Sequence, residues 1–306
     1  MRVTVAHVPR ERFSSTQASL ESVIANTSCP HELVCVDGGS PPEVARYLRA
    51  RAHETGFRLI RTECILSPNE ARNLALAEVE TEFVAFVDND VTVDPGWLEK
   101  LVACADETGA WIVGPLYMIG PPGTDVIHMA GGDMGIDEGS GRRIFHESHR
   151  LANERLSEHK AEMRREPVDM VEFHAMLVRR EVFERFGPMD EKLLSADEHA
   201  DLCLLAHKHG GTVYFEPESK VTYTPSRPKG PGDRAFHLLR WSPDWNNRTL
   251  DHFAEKWDLD RQSLRQQWRW LTKHRLAIYR RFGSLDPVIR PLVTWREQRK
   301  RARARA

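Results

Sequence analysis

Residues 82–97, EFVAFVDNDVTVDPGW, decide the fold that we predict for this chain. Residues 83–87 are an apolar run of β-branched and aromatic residues, which is typical of a strand buried on both faces. The run ends in Asp88-Asn89-Asp90, where two carboxylates are separated by one residue. In an open α/β sheet, ligands bind beyond the carboxyl ends of the strands, so we expect these acids at a binding site. Two acids at this spacing can hold a hard cation such as Mg²⁺ or Mn²⁺, although acids after a strand also form turns.

Short apolar runs and amphipathic segments alternate on both sides of this strand. We predict further strands near residues 3–8, 33–36, 57–61, 111–113, 168–178 and 212–215, with helices between them. Strands alternating with helices of about 10–15 residues indicate βαβ units, and so an α/β fold with a Rossmann-like, mixed and mostly parallel sheet flanked by helices. Residues 118–150 favour hairpins or a long functional loop, because Gly, Pro, Asp and His interrupt their apolar runs. Residues 151–165 are highly charged and predict an exposed helix.

Charge is distributed unevenly along the 306 residues. Residues 261–306 contain 14 Lys and Arg against two acids, a balance of +12, whereas the rest of the chain carries −14. A basic tail on an acidic body predicts an anionic partner. The Trp and Arg residues within 263–281 are typical of a helix that binds an anionic membrane surface, and the alternative is a helix packed on the domain with a solvated basic face. No recognition motif supports nucleic-acid binding, so we expect no nucleic-acid partner.

The spacing of the cysteines and the length of the apolar runs indicate the cellular compartment that we expect. Five cysteines are scattered along the chain without a C-x-x-C pair, which is typical of reduced thiols in a cytoplasmic protein. No segment approaches the ~18 apolar residues of a membrane-spanning helix. The first residues carry too short an apolar run for a signal peptide. We therefore predict a cytoplasmic protein whose basic tail can lie on the inner face of the membrane.

Six motifs in a defined order resemble the family 2 glycosyltransferases, which have the GT-A fold. The motifs are VCVDGGS (residues 34–40), NEARNLALA (69–77), FVAFVDNDVTVDPGWLEKLV (83–102), RREVFERFGPMDEKLL (179–194), SADEHADLCLLAHKHGG (195–211) and VYFEPESKV (213–221). The resemblance implies a GT-A catalytic domain over residues 1–223, with a nucleotide-sugar half at about 1–115 and an acceptor half at about 116–223. A Pro/Gly-rich loop and an aromatic segment follow at 224–260. A C-terminal helical extension, the basic tail of 261–306, comes last, and we predict that its final residues are disordered.

The resemblance also implies which residues hold the donor. Asp37 is expected to accept hydrogen bonds from the base, usually uracil, while Asp88 and Asp90 bind the Mn²⁺ or Mg²⁺ ion that bridges the diphosphate. Arg72 is expected to meet phosphate or to hold Asp88, in the crevice onto which Asn73 also opens. A turn is the alternative for Asp37, and a surface ion pair is the alternative for Arg72. The predicted donor-binding residues are Asp37, Arg72, Asn73, Asp88, Asn89 and Asp90.

The catalytic base is expected within residues 197–201, DEHAD. The family pattern is commonly Glu-Asp-x-Asp-Leu, whereas this chain has Glu-His-Ala-Asp-Leu, so His199 occupies the usual base position. Neighbouring acids raise the affinity of an imidazole for protons, and a helix N-terminus also attracts acids for capping alone. The base is Glu198, Asp197 or His199, and we favour a carboxylate. The candidate catalytic residues are Asp197, Glu198, His199 and Asp201.

A second departure from the family concerns the metal shell. The family often has a His six residues beyond a Pro, and counting from Pro217 gives Tyr223. A neutral phenol is a poor ligand for Mg²⁺ or Mn²⁺. Either water remains on the metal, another residue such as His237 substitutes, or metal dependence is weak. Four further histidines are candidates, although each is more often a packed or loop residue: His128, His146, His149 and His174.

These features predict a metal-assisted, inverting glycosyltransferase that uses a nucleotide-diphospho-sugar, with a UDP-sugar preferred. The acceptor is expected to be a hydroxyl of a glycan, a lipid-linked sugar or a cell-surface polymer precursor. An aromatic set either stacks on sugar rings or forms a small core, and it comprises Phe236, Trp241, Trp245, Phe253 and Trp257. A catalytically inactive sugar-nucleotide or glycan-binding module is the alternative. A nucleotidyltransferase would need a Gly-rich loop after the first strand, where this chain has VPRER at residues 8–12.

Overall fold

A computed structural model describes residues 1–282 and 286–305, with side chains for all of these except 140, 274–282, 286–288 and 304–305. The strands are β1 (Val3–Val8), β2 (His31–Gly38), β3 (Arg58–Thr62), β4 (Phe83–Asp88), β5 (Val91–Val93), β6 (Ile112–Ile119), β7 (Ile127–Met129), β8 (Gly132–Asp137), β9 (Ile144–His149), β10 (Glu166–Pro167), β11 (Ala175–Arg179) and β12 (Val213–Tyr223). The helices are α1 (Thr16–Asn26), α2 (Pro42–Thr55), α3 (Pro68–Leu76), α4 (Trp97–Thr108), α5 (Leu156–His159), α6 (Arg180–Phe186), α7 (Glu198–Lys208), α8 (Gly230–Arg240), α9 (Pro243–Lys256), α10 (Arg265–Phe282) and α11 (Asp286–Arg305). Short 3-10 helices occupy Gly139–Gly141 and Arg261–Leu264.

The predicted α/β sheet is confirmed. Its strand order is β10-β12-β6-β11-β4-β1-β2-β3, with β5 paired to β12 and β7 paired to β6. Strands β4, β1, β2 and β3 run parallel, and β11 enters antiparallel between β4 and β6. Strands β8 and β9 form a separate antiparallel hairpin. The βαβ connections of the first half therefore produce the parallel part of the sheet, as the alternating pattern predicted.

Strand β4 lies in the middle of the sheet, and all six of its residues are buried. Its neighbours are β1 on one side and β11 on the other. The register pairs Val8 with Asp88, so β1 and β4 end at the same edge. Residues 9–12 and 88–90 therefore meet beyond the carboxyl ends of two parallel strands, where α/β sheets bind their ligands.

Four predicted elements differ clearly in their bounds, and one of them is β12, which continues to Tyr223 where we predicted only residues 212–215. Strand β11 is Ala175–Arg179 rather than residues 168–178, and β6 continues to Ile119 where we predicted only residues 111–113. The exposed helix predicted over 151–165 is wrong, because only Leu156–His159 is helical. That short helix buries no residue, and most helical stability in proteins comes from packing an apolar face.

The segment after residue 223 is more regular than its composition predicted. Residues 224–229 have no regular structure, but α8 and α9 follow and pack their apolar side chains on the domain. Asp233 on α8 accepts hydrogen bonds from the backbone N–H groups of Phe13 and Ser14 at the start of α1. Four of the five aromatic residues are buried, which supports the core interpretation over an exposed sugar platform: Phe236, Trp241, Trp245 and Phe253.

The described residues of the basic tail are helical, as predicted, and α11 packs on the domain. On α11, the buried Glu297 accepts a hydrogen bond from the Ile65 N–H at 3.0 Å. Arg301 pairs with Glu70 and donates to the Ile65 carbonyl at 2.6 Å. The final residues, which we predicted to be disordered, continue α11 to Arg305.

Two further predictions concerned free cysteine thiols and the absence of a membrane-spanning helix. All five cysteines are free, and all but Cys29 are buried. In the part of the chain that the structure describes, no helix combines the length and the apolar character needed to cross a membrane.

Candidate active site

A small cleft opens at the edge of the sheet where β1 and β4 end. Its volume is about 30 Å³. Three arginines, three acids, two histidines and one aromatic ring line it: Arg10, Arg72, Arg240, Asp88, Glu172, Glu198, His174, His199 and Phe173. The cleft therefore combines the predicted acids with cations that come from distant parts of the chain.

The acids that follow β4 are buried among arginines. Asp88 Oδ1 accepts a hydrogen bond from Arg72 Nη2 at 3.0 Å, and its Oδ2 lies 3.4 Å from Arg10 Nε. Asp90 Oδ2 accepts from Arg12 Nη2 at 3.0 Å. Among the described residues, Asp90 Oδ1 has no hydrogen-bond partner although it is buried. Every carboxylate oxygen but one therefore has a basic neighbour.

The loop that carries Arg10 and Arg12 is held in place by Asn89. The Asn89 side-chain oxygen accepts from the Arg10 N–H at 3.0 Å, and its amide donates to the Arg12 carbonyl and to Thr16 Oγ1. Asn89 thus positions the two arginines over the acids. Sequence reasoning missed both arginines, although basic residues directly after the first parallel strand were a signal that could have found them.

Two more arginines reach the cleft from helices. Arg72 on α3 is buried, so the surface ion pair considered for it is wrong, and its guanidinium lies 3.8 Å from the centre of the Phe173 ring. Arg240 Nη2 on α8 lies 3.8 Å from Glu198 Oε1, and Arg72 Nη1 lies 3.8 Å from the same oxygen. Nothing in the local sequence around Arg240 indicated this role, because α8 is brought to the cleft by tertiary packing alone.

Burial acts against the charges of the acids. It raises the pKa of Asp88 to about 6, although Arg72 and Arg10 oppose the change. Burial also raises the pKa of Asp90, against the opposing charges of Arg10 and Arg12. A cation added between the carboxylates would favour their ionised forms.

Asp37 ends β2 in a turn. Its carboxylate accepts hydrogen bonds from the N–H and the hydroxyl of Ser40, both at 3.0 Å, and it pairs with Arg61. The turn considered as an alternative is therefore present. Base recognition by Asp37 stays a prediction, and it would require these partners to share the carboxylate.

Asn73 does not open onto the crevice as we expected. Its side-chain amide donates to the Met189 carbonyl and to Glu191, and its oxygen accepts from the Met189 N–H at 2.8 Å. Both ends of the side chain are used to fix the loop after α6 against α3. The side chain of Asn73 therefore has a structural role, which is to hold this loop against α3.

The predicted base cluster separates into two pairs at the start of α7. Glu198 and His199 line the cleft, whereas Asp197 and Asp201 are not among its lining residues in the described part of the chain. Asp201 instead accepts from Lys256 Nζ at 2.8 Å and from Trp257 Nε1 at 2.9 Å, which ties α7 to α9. Asp197 adopts a left-handed backbone conformation, with φ of 62°, directly before α7.

The protonation of this cluster distinguishes its members. Burial raises the pKa of Glu198, but the charges of Arg240 and Arg72 outweigh it and leave that pKa below its ordinary value. Burial and the charge of Glu147 raise the pKa of Asp197 well above its ordinary value. Burial lowers the pKa of His199, but Glu147, 3.5 Å away, outweighs it and raises that pKa to about 9. Among the four residues of this cluster, Glu198 is the carboxylate that both lines the cleft and has a lowered pKa.

Tyr223 stands beside the acids with His174 stacked on its ring, the two ring centroids being 4.4 Å apart. His174 Nδ1 lies 3.8 Å from Asp88 Oδ2 and 3.5 Å from Arg10 Nη1. His237, considered as a substitute ligand, is buried on α8 and belongs to none of the possible metal-ligand groups among the described residues.

The remaining candidate histidines fall into two classes. His146 is exposed and lies 3.4 Å from Asp137. His128 and His149 instead converge with His174 on one carboxylate, Glu172. We call these four side chains the histidine cluster: His128, His149, Glu172 and His174.

The residues beside β4 fit a divalent cation. Ligand atoms of Asp88, Asp90 and His174 lie within 4.8 Å of one another. The unpartnered Asp90 Oδ1 and the raised pKa values of both acids indicate carboxylates whose burial the neighbouring arginines offset only in part. Carboxylate oxygens are the ligands that Mg²⁺ and Mn²⁺ prefer. A cation here would share these oxygens with Arg10, Arg12 and Arg72.

The mixed sheet and the position of the cleft define a domain of the GT-A glycosyltransferase fold. A crystal structure of GalNAc-T7 with UDP, GalNAc and Mn²⁺ matches with a TM-score of 0.59, covering 93% of this chain and 57% of that one at 15% identity. The glycosyl transferase family 2 model matches residues 10–187, more than half of the chain. The chain belongs to glycosyl transferase family 2.

Two curated relatives extend the comparison. The uncharacterized protein y4gI of Sinorhizobium fredii is 26% identical over 263 residues, which are 83% of this chain and 27% of that protein. The pre-mycofactocin glycosyltransferase of Mycobacterium tuberculosis is 26% identical over 156 residues, 51% of this chain and 30% of that protein. The chain therefore spans about a quarter to a third of the length of these curated relatives.

Proposed function

We propose that this domain transfers a sugar from a nucleotide-diphospho-sugar, preferably a UDP-sugar, to an acceptor hydroxyl with inversion at the anomeric carbon. The observation that carries the proposal is the meeting of Asp88, Asp90 and the ionised Glu198 with several arginines at one edge of the sheet. Family membership and the UDP and Mn²⁺ in the GalNAc-T7 structure support a donor of this class.

The donor's diphosphate would lie over the acids and arginines. Breaking the bond between the anomeric carbon and the phosphate oxygen leaves negative charge on the diphosphate, and fixed cations stabilise that charge as it develops. Arg10, Arg72 and Arg240 are the arginines that line the cleft. A Mg²⁺ or Mn²⁺ ion bound by Asp88 and Asp90 would supply further charge stabilisation to the same phosphates. Asp37 would contact the base from the end of β2.

Glu198 is the base that we propose within the predicted cluster. It lines the cleft, and its pKa lies below the ordinary value, so it is ionised at neutral pH. The bond from the acceptor oxygen to the anomeric carbon would form as Glu198 takes the hydroxyl proton. His199 carries a proton already at neutral pH because of Glu147, and Asp201 is bound to Lys256, so neither suits proton acceptance.

The acceptor proposal is broader, because the cleft identifies no particular hydroxyl. We propose a glycan or a lipid-linked acceptor, presented at the inner face of a membrane to a cytoplasmic enzyme. One face of α11 supports the membrane part: Leu292, Trp295, Arg296, Arg299 and Arg303 are all exposed. Their spacing places them on one side of the helix. Apolar and basic side chains on one helical face suit an anionic membrane surface.

Donor turnover tests the proposed function. The chain is incubated with a panel of UDP-sugars, with Mn²⁺ and with a chelator, and released UDP is measured. We expect UDP release with at least one donor, and its loss in Asp90→Ala, because that variant removes the carboxylate oxygen available to the ion. Glu198→Gln should lower kcat by about 100-fold or more while donor binding remains, since general base catalysis contributes about that much.

A nearby surface acid provides the control. Asp94 is partly exposed and pairs with Lys220, so Asp94→Ala should leave turnover unchanged. Full activity in Asp90→Ala would overturn the metal role. UDP-sugar binding without hydrolysis and without transfer to any glycan or lipid-linked acceptor would instead support the inactive binding module.

A further inference from the structure

The histidine cluster meets the cleft at Glu172 and His174, and the proposed donor chemistry, in which Asp88 and Asp90 hold the ion, uses none of its four side chains. His128 comes from β7, His149 ends β9, and Glu172 and His174 directly precede β11. Three separate chain segments therefore contribute side chains to one point. Tyr117 fixes the segment of Glu172, because its hydroxyl accepts from the Glu172 N–H at 3.1 Å and donates to the Glu172 carbonyl at 2.8 Å.

The geometry of the histidine cluster is that of a ligand set. The Nε2 atoms of His128, His174 and His149 lie 2.9, 3.3 and 3.5 Å from carboxylate oxygens of Glu172. Ligand atoms of the cluster members His128, Glu172 and His174 all lie within 4.8 Å of one another. Four ligands held about 2.0–2.1 Å from a tetrahedral ion are roughly 3.3 Å apart, and the three separations between the histidines and Glu172 are close to that value.

We propose that the histidine cluster binds one Zn²⁺ ion, at a position distinct from the donor cation site of Asp88 and Asp90. Three imidazole nitrogens and one carboxylate form a donor set that suits zinc better than magnesium, which prefers oxygen alone. Four protein ligands complete a tetrahedral shell, and closed shells of this kind are structural. The ion would therefore fasten β7 and β9 to the segment before β11.

Two further features agree with a zinc site. His174 Nδ1 faces Asp88, and a ligating His generally has a carboxylate or carbonyl beside its second nitrogen. The side chains of His128 and His149 are 20% and 25% exposed, so an ion can enter from solvent.

Zinc binding by the chelator-treated full chain tests the proposal, with Zn²⁺ alone as the probe. We expect one tightly bound Zn²⁺ per chain in equilibrium dialysis with metal analysis. His128→Ala combined with His149→Ala should weaken binding by about 100-fold, since even lost outer-shell partners cost 10–100-fold in metal affinity. His146→Ala, on the same hairpin but outside the histidine cluster, should bind as the wild type does.

The variant Asp90→Ala distinguishes the donor site from the zinc site, because it should still bind zinc but lose turnover. Failure of the proposed transferase activity would thus leave this result intact. Circular dichroism establishes that each variant folds, and Zn²⁺ should raise the Tm of the wild type but not that of the double variant. No stoichiometric zinc in the wild type, or equal affinity in the double variant, would overturn the proposal.

A spectroscopic measurement addresses the coordination geometry. Co²⁺ is added to the chelator-treated chain, and its visible absorption is recorded before and after Zn²⁺ displaces it. We expect the intense visible bands of tetrahedral Co²⁺, and their absence in the double variant. The weak bands of six-coordinate Co²⁺ would contradict a closed site of three imidazoles and one carboxylate.

Discussion

At the residue scale, His199 shows how one neighbour changes the chemistry available to a side chain. It occupies the position where a carboxylate base is usual in the family, yet Glu147 from β9 lies 3.5 Å from its Nε2. The pair keeps the imidazole protonated at neutral pH, because Glu147 raises its pKa to about 9 despite burial. The proton-accepting role then falls to Glu198, whose charge two arginines maintain.

The raised pKa of His199 predicts a pH dependence of stability. The pKa of His199 is about 9 in the folded protein and about 6.5 in the unfolded chain. Such a group contributes its full stabilisation of the folded state below about pH 6.5 and loses it as the pH rises through about 9. The free energy of unfolding should therefore fall by about 2–3 kcal/mol between pH 6 and pH 10 from this group. Glu147→Gln should remove most of that slope in urea unfolding measured with chelator present.

An exposed acid supplies the comparison for this experiment. Glu154 lies 3.9 Å from His159 and its side chain is 55% exposed, so Glu154→Gln should leave the pH profile as it is in the wild type. A Glu147→Gln profile that matches the wild type would show that Glu147 does not control His199.

At the element scale, the β8–β9 hairpin depends on the turn that precedes it. Gly131 joins β7 to β8 with φ of 72°, a left-handed conformation that favours glycine. Its carbonyl accepts from the Arg150 N–H, and the neighbouring Ala130 N–H donates to the Arg150 carbonyl, so the base of the hairpin is closed. This closure brings His149 toward His128.

Two glycines with the same φ allow a matched test of that turn. A Cβ at Gly131 would lie 2.7 Å from Val168 Cγ1, whereas one at Gly141, also with φ of 72°, would meet nothing within 4 Å. We expect Gly141→Ala to lower the free energy of unfolding by about 1–2 kcal/mol through the backbone alone. Gly131→Ala should cost about 1–3 kcal/mol more because of the clash. Equal costs in urea unfolding would contradict the steric role of Val168.

At the scale of the whole molecule, α11 has a packed side and an exposed side, whereas the two alternatives for residues 263–281 stay predictions. One side of α11 packs on the domain through Glu297 and Arg301. The other side exposes Leu292 and Trp295 together with arginines. Docking on one face leaves the opposite face available, so a packed helix and a membrane-binding helix are compatible.

The exposed face of α11 predicts binding to anionic lipid. Replacing Arg296, Arg299 and Arg303 with Gln should weaken binding to phosphatidylserine-containing vesicles by about 100-fold, at about 1 kcal/mol for each basic residue. Vesicle flotation at low salt measures the affinity, and added salt should reduce it because it screens the attraction.

The matched variant removes the same charge elsewhere. Arg46, Arg49 and Arg142 are exposed outside the tail, so replacing all three with Gln should leave vesicle binding close to that of the wild type. Similar losses in both triple variants would indicate a general effect of net charge, and would contradict a membrane role for this helix.

The sequence by itself determined the parallel part of the sheet and the placement of Asp88 and Asp90. Periodicity and strand ends are local properties, and the apolar run of β4 is long enough to identify a central strand. The ordered motifs likewise determined the family, which the match over residues 10–187 confirms. The exposed helix over 151–165 was predicted wrongly because charge alone carries no information about which face a segment can bury.

Only the tertiary structure decided how the cleft is composed. Arg240, Glu147 and Glu172 are each far along the chain from Asp88, and no local pattern relates them to it. The same holds for the three histidines that converge on Glu172 from β7, from β9 and from the segment before β11. The pKa of a side chain depends on its burial and on its distance from other charges, and both are set by the packing of segments that are distant in sequence. The strands that carry these side chains form because of residues that are neighbours in sequence.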